Sequence, residues 1–134
     1  MESNRANQVG LFPSQGDADR IQTEGIRLSD IQREAFETAK SKGFTHEDNF
    51  PEQCMLVVTE LAEAVECYRR HGLDKSGFLY YDGKKPEGIA SEMADVILRA
   101  CNVCSYFEIP LEKAIIAKMA YNKTRPYRHG GKIV

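Results

Sequence analysis

Two short acidic patterns carry the chemistry of this chain. Glu60 and Glu63 fall in ELAEAVE, and Glu92 and Asp95 repeat the same offset in SEMADVILRA. Both pairs sit among Leu, Val, Ile, Met and Ala, the residue types a helix turns toward a core. Each helical residue rotates by about 100°, so residues three apart share one narrow stripe. If the two helices pack as neighbours, four carboxylates converge at one level. Bare, such a cluster repels itself and loses solvation, which drives its pKa values up. A bound cation removes that difficulty, and oxygen-only ligands select hard ions such as Mg²⁺ or Mn²⁺. The plainer reading is a solvated acidic face paired with lysines. It suits any single glutamate, but it weakens when the same offset recurs on two apolar segments. Glu66, on the same general side as Glu63, is a further candidate for orienting a nucleophile.

The acidic line continues into polar groups. Arg99 and Asn102 follow Glu92 by seven and ten residues, close to the same stripe. Arg99 either pairs with the acids or contacts a ligand, while a buried Asn102 amide needs partners of its own. Farther on, Lys118, Asn122 and Arg125 line one basic face, and RPYRHGGK adds Arg128, His129 and Lys132. Guanidinium groups match phosphate oxygens in a two-pronged way, and Gly130-Gly131 lets backbone N–H groups approach an anion. Acids that hold a metal, with bases that hold phosphate, describe a nucleotide polyphosphate site.

These groups need helices to position them, and the sequence punctuates four. The first opens at LSDIQ, where Ser29 and Gln32 have capping-box spacing, and ends at Gly43. The second runs from Asn49–Pro51 to about Arg70, with Gly72 as its stop and Leu56, Val57, Leu61, Ala64, Val65 and Tyr68 as its apolar stripe. The third starts around Pro86 to Gly88 and reaches Phe107. The fourth starts at Pro110 or Leu111 and ends near Thr124, before Pro126. The intervening GLDKSGFLYYDGKKPEG is long for a helix–helix connection. Phe78 to Tyr81, with Asp82-Gly83 behind, predicts a small strand and turn. Tyr81 and its aromatic neighbours either stack on a base or cover one end of a bundle.

Composition bounds the rest. A chain of 134 residues, 42% hydrophobic and 28% charged, suits one soluble domain with a modest core, for which oligomerisation is a common remedy. Residues 1–27 predict a flexible arm and residues 28–134 the domain. No apolar run approaches the roughly 20 residues that span a membrane, and the N-terminus lacks a signal peptide's apolar centre. A cytoplasmic protein is expected. The thiols of Cys54, Cys67, Cys101 and Cys104 then serve as reduced, small hydrophobes. Net charge is −2, yet every charged residue from Lys113 onward is basic, leaving the body acidic.

Glu60-x-x-Glu63, 28 residues, then Glu92-x-x-Asp95 resembles the ExxE…ExxD signature of the MazG-like, all-α nucleotide pyrophosphohydrolases. Asn102 falls where that family often has an asparagine, and Lys118 to Lys132 resembles its K-x-x-x-N-x-x-R…HG tail. The likeness runs from about Leu28 to Lys132. It implies a four- to five-helix bundle of all-α class, assembled as a dimer or tetramer with active sites near subunit contacts. It implies hydrolysis of a (d)NTP to a (d)NMP and pyrophosphate, with Mg²⁺ on Glu60, Glu63, Glu92 and Asp95. Glu63, then Glu60, would serve as base. Arg99, Asn102, Lys118, Asn122, Arg125, Arg128 and Tyr81 would contact substrate. The long aromatic spacer departs from shorter-spacer relatives, so the preferred nucleotide is not carried over.

Three other readings make different demands on the sequence. A ferritin-like di-iron site needs Glu-x-x-His on two helices, and none of His46, His71 and His129 has that partner. A non-catalytic helical module would bind metal and nucleotide without turnover. Nucleic-acid binding through the basic tail fits poorly with the acidic body and would show a steep salt dependence.

Overall fold

The computed structural model describes residues 25–44 and 49–127. Among them are four α-helices and one antiparallel hairpin: α1 (Leu28–Ser41), α2 (Phe50–His71), β1 (Tyr80–Asp82), β2 (Lys85–Glu87), α3 (Ile89–Tyr106) and α4 (Leu111–Thr124). The chain is mostly helical, as its periodicity predicts. Most of the arm expected over residues 1–27, and the tail residues Arg128, His129 and Lys132, lie outside the described residues.

Local chemistry sets most helix ends. The Asn49 side chain accepts from the Glu52 N–H at 3.3 Å and starts α2, with Pro51 in the first turn. Arg69, Arg70 and His71 occupy the last turn, where positive charge suits the helix dipole. Gly72, at φ 61°, ends it and donates to the Tyr68 carbonyl at 2.7 Å. The start of α1 differs from expectation. Arg27, in an extended conformation, is the cap, and its carbonyl accepts from Asp30 and Ile31 at 3.1 Å. Ser29 is already helical there, so the capping box does not form.

The long connection is a built structure. A 3₁₀ turn at Lys75–Gly77 leads into the hairpin, whose strands pair Tyr80 with Glu87 and Asp82 with Lys85. Gly83, at φ 61°, opens the two-residue turn, where the favoured hairpin geometries demand a positive φ. The strand expected at Phe78 to Tyr81 thus starts two residues later, at Tyr80, ends at Asp82 and gains a partner. Gly88, at φ 106°, carries the chain from β2 into α3. A Cβ there would lie 2.6 Å from the carbonyl oxygens of both Gly77 and Phe78. The Ala90 N–H donates to the Phe78 carbonyl at 2.8 Å, and the Ser91 hydroxyl to the Pro86 carbonyl at 3.0 Å. These bonds tie the hairpin to the first turn of α3.

Packing centres on α3, with α2 along it, α1 against it and β2 at its start. Its Cys101 and Val103 are buried, as is Ala64 of α2. The Ser105 hydroxyl donates to the Gln32 carbonyl at 3.2 Å and pins α1, while Phe50 meets Phe107 edge-on at 5.2 Å. All four cysteines are free, and burial pushes the thiols of Cys101 and Cys104 up. That matches inert, reduced packing groups. No described helix is long and apolar enough to cross a membrane.

Two apolar surfaces do not join this core. Leu61, Val65 and Tyr68, expected in the packed stripe of α2, are exposed. The side of α2 that buries Glu60 and Ala64 faces inward instead. On α4 no residue is buried, and Ile116 and Met119 are 63% and 57% exposed. Its sequence, LEKAIIAKMAYNKT, is apolar on several sides, so no single face is marked for its own chain.

Candidate metal centre

The inner side of α2 brings Glu60 toward α3, and the first turn of α3 supplies Glu92. Both are among the most buried residues of the described chain, at 6% and 7% exposure. Glu63, one turn from Glu60, is exposed. One carboxylate oxygen from each of Glu60, Glu63 and Glu92 lies within 4.8 Å of the others. Oxygens around a Mg²⁺ stand about 3–4 Å apart, given metal–oxygen distances of about 2.1 Å in an octahedron. Small side-chain adjustments therefore suffice to close the three on one ion. The donor set fits a hard cation, and it is made by two helices packed side by side.

Asp95 is the fourth member, one turn beyond Glu92. It stands outside the closest group, yet Glu60 and Glu63 act on its charge. Burial first, then Glu60, holds its carboxyl above the ordinary value, with Arg99 pulling the other way. Glu92 is held up by burial first, then by Glu63, Asp95 and Glu60. Low solvation and like charge both favour the protonated form of these two carboxyls.

Arg99 supplies positive charge beside them. Its Nε donates to a Glu60 carboxylate oxygen across the α2–α3 contact, in a half-buried pair. Of the two readings open in the sequence, pairing with the acids is the one in place. The guanidinium has further N–H donors, and the Arg99 side chain is 45% exposed. Asn102 is half-buried one turn farther along α3. Glu66 points elsewhere, pairing with Arg69 at 2.8 Å on the surface.

The basic residues of α4 are not brought to the acids within this chain. Lys118, Asn122 and Arg125 are exposed, and the Lys118 ammonium lies 5.8 Å from the Tyr121 ring on its own helix. The largest charge effects on Glu92 and Asp95 come from α2, α3 and β2. Tyr81, on β1, is exposed at the hairpin. Arg128 lies outside the described residues.

Two residues passed over in the sequence stand at the site. Lys85 and Glu87 pair at 2.5 Å on β2, and both act on the cluster: Glu87 on Glu92, and Lys85 on Asp95. The available signal was KPEG directly before the helix that carries Glu92. Comparison with protein-family models, curated proteins and solved structures finds no match.

Proposed function

We propose that this protein is a Mg²⁺-dependent nucleoside triphosphate pyrophosphohydrolase that acts in the cytoplasm on non-canonical or surplus nucleotides. It would convert a (d)NTP and water to a (d)NMP and pyrophosphate. The observation that carries the reading is the convergence of Glu60, Glu63 and Glu92 from two packed helices, two of them buried. Burying carboxylates together is costly without a cation, and Mg²⁺ is the fitting one, with Mn²⁺ as substitute. Glu60, Glu63, Glu92 and Asp95 would hold it. When bound, it would polarise phosphoryl oxygens and neutralise charge on the departing pyrophosphate.

The chain's own residues would do the rest. Glu63 is the exposed carboxylate of the cluster, so it has room to orient a water and take its proton. Glu60 already accepts from Arg99 and is less free for that task. In the proposed step the water oxygen bonds to the α-phosphorus. The bond from that phosphorus to the α–β bridging oxygen breaks, pyrophosphate leaves with the electron pair, and the proton goes to Glu63. The choice of the α position follows the MazG-like resemblance. Arg99 and Asn102 would approach the substrate from α3, and Tyr81 its base from the hairpin.

A second copy belongs to the same proposal. An isolated helix of about 14 residues is marginal in water, and α4 exposes Ile116, Met119 and Tyr121. Leu61, Val65 and Tyr68 of α2 are exposed as well. A homodimer, or a tetramer of such pairs, would cover both surfaces. Across that contact Lys118, Asn122, Arg125 and Arg128 would reach the phosphates that the acids cannot hold alone. Binding of Mn²⁺ measured by calorimetry, alongside nucleoside triphosphate turnover, tests the site. Wild type is expected to bind and turn over, and Glu92→Gln to lose both. Unchanged Mn²⁺ binding in Glu92→Gln would remove the site from consideration.

A further inference from the structure

The hairpin between α2 and α3 is more than a spacer. Its second strand is anchored to the first turn of α3 by the Ser91–Pro86 bond, and the preceding 3₁₀ turn by the Ala90–Phe78 bond. Gly88 packs so closely on the Gly77 and Phe78 carbonyls that no side chain fits. Glu92 lies in that same first turn. The hairpin is therefore held at the level of the carboxylates, and Lys85 is the β2 cation there.

We infer that Lys85 is a phosphate-binding residue for the polyphosphate, a cation set by the hairpin beside the carboxylates proposed to hold the metal. It deepens the hydrolase reading and rests on it. Lys85 pairs with Glu87, and its ammonium also feels Glu92 and Glu63 at the cluster. Yet its side chain is 74% exposed while that of Glu87 is 23% exposed. An exposed pair of this kind contributes little to stability, so the Lys85 ammonium can leave Glu87 at little cost. With its head in solvent and its charge felt by the cluster, Lys85 is suited to a ligand arriving from solution. A metal-bound phosphate chain would bring negative oxygens into its reach. The four-carbon stem allows the ammonium to swing from Glu87 to a phosphate oxygen.

The test uses the full chain, Mn²⁺ and inorganic tripolyphosphate, with both affinities measured by calorimetry. Lys85→Met and Glu87→Gln break the same ion pair, but only the first removes the cation. Lys85→Met is expected to weaken tripolyphosphate binding in Mn²⁺ by about tenfold or more, the usual cost of losing a charged hydrogen bond. Mn²⁺ binding alone should hold or tighten. Glu87→Gln should leave tripolyphosphate affinity within about threefold, and Lys85→Arg should restore most of it. Equal effects from Lys85→Met and Glu87→Gln, or none from Lys85→Met, would overturn the assignment while leaving the metal site intact. Absence of Mn²⁺ binding in wild type would instead overturn the hydrolase reading and the assignment with it.

Discussion

Glu92 sits in the first turn of α3 at 7% exposure, with burial, Glu63, Asp95 and Glu60 all raising its pKa. Asp95 is raised in the same direction, burial first. A carboxyl whose folded pKa exceeds its unfolded value destabilises the fold wherever it must ionise. That cost is present above the folded pKa and is relieved as pH falls through it. A divalent cation relieves it at neutral pH instead. Scanning calorimetry with and without Mg²⁺ should therefore show a Tm gain from the ion near pH 7 that shrinks as pH falls and these raised carboxyls take up protons. Glu92→Gln should raise the metal-free Tm and abolish most of the gain. A gain independent of pH would separate the ion from these carboxylates. Glu63 carries a different expectation: Glu63→Gln should keep the fold and lower kcat by about 10²-fold or more, the usual worth of a positioned base. Tyr81→Ala should change base preference more than stability, as judged from kcat/KM across a nucleotide panel and from Tm.

The elements that hold these residues were legible in the sequence where their signals are local. Asn49 and Gly72 bracket α2, and Gly88 and Pro110 precede α3 and α4, because caps act through neighbouring backbone groups. The paired offsets were legible for a similar reason, since residues three apart on one helix share its stripe. Other features depend on what meets what in space. The pairing of Lys85–Glu87 with Tyr80–Asp82 gives β2, and the Arg99–Glu60 bond joins residues 39 apart. Periodicity shows which residues share a face but not which face is covered, so Leu61, Val65 and Tyr68 were expected inside and lie outside. Gly88 gives a direct test of the hairpin's anchorage. Gly88→Ala combines a positive φ with contacts of 2.6 Å to two carbonyl oxygens, and should cost about 1–3 kcal/mol, read as a lower urea midpoint. An unchanged midpoint would show that the hairpin joint yields freely.

On the scale of the whole molecule, few of the described side chains are buried. Only Ala64, Cys101 and Val103 form the buried apolar set among the described residues. In the proposed homo-oligomer the exposed apolar residues of α2 and α4 would be covered, at roughly 25 cal/mol per Å² of apolar surface removed from water. Sedimentation should then show a dimer or tetramer, with a Tm that rises with protein concentration. Ile116→Glu combined with Met119→Glu should shift the species toward monomer. If Lys118 and Arg125 serve the site across the contact, activity falls with it. A monomer at all concentrations with full activity would place the whole site in one chain.

The central claim is tested most directly by incubating the purified chain with Mg²⁺ and a panel of canonical and modified nucleoside triphosphates, then resolving the products. Monophosphate and pyrophosphate are expected, lost on chelating the metal and in Glu63→Gln. No turnover across the panel, with Mg²⁺ still raising Tm, would contradict the hydrolase and leave a metal- and nucleotide-binding module whose acids are structural ligands.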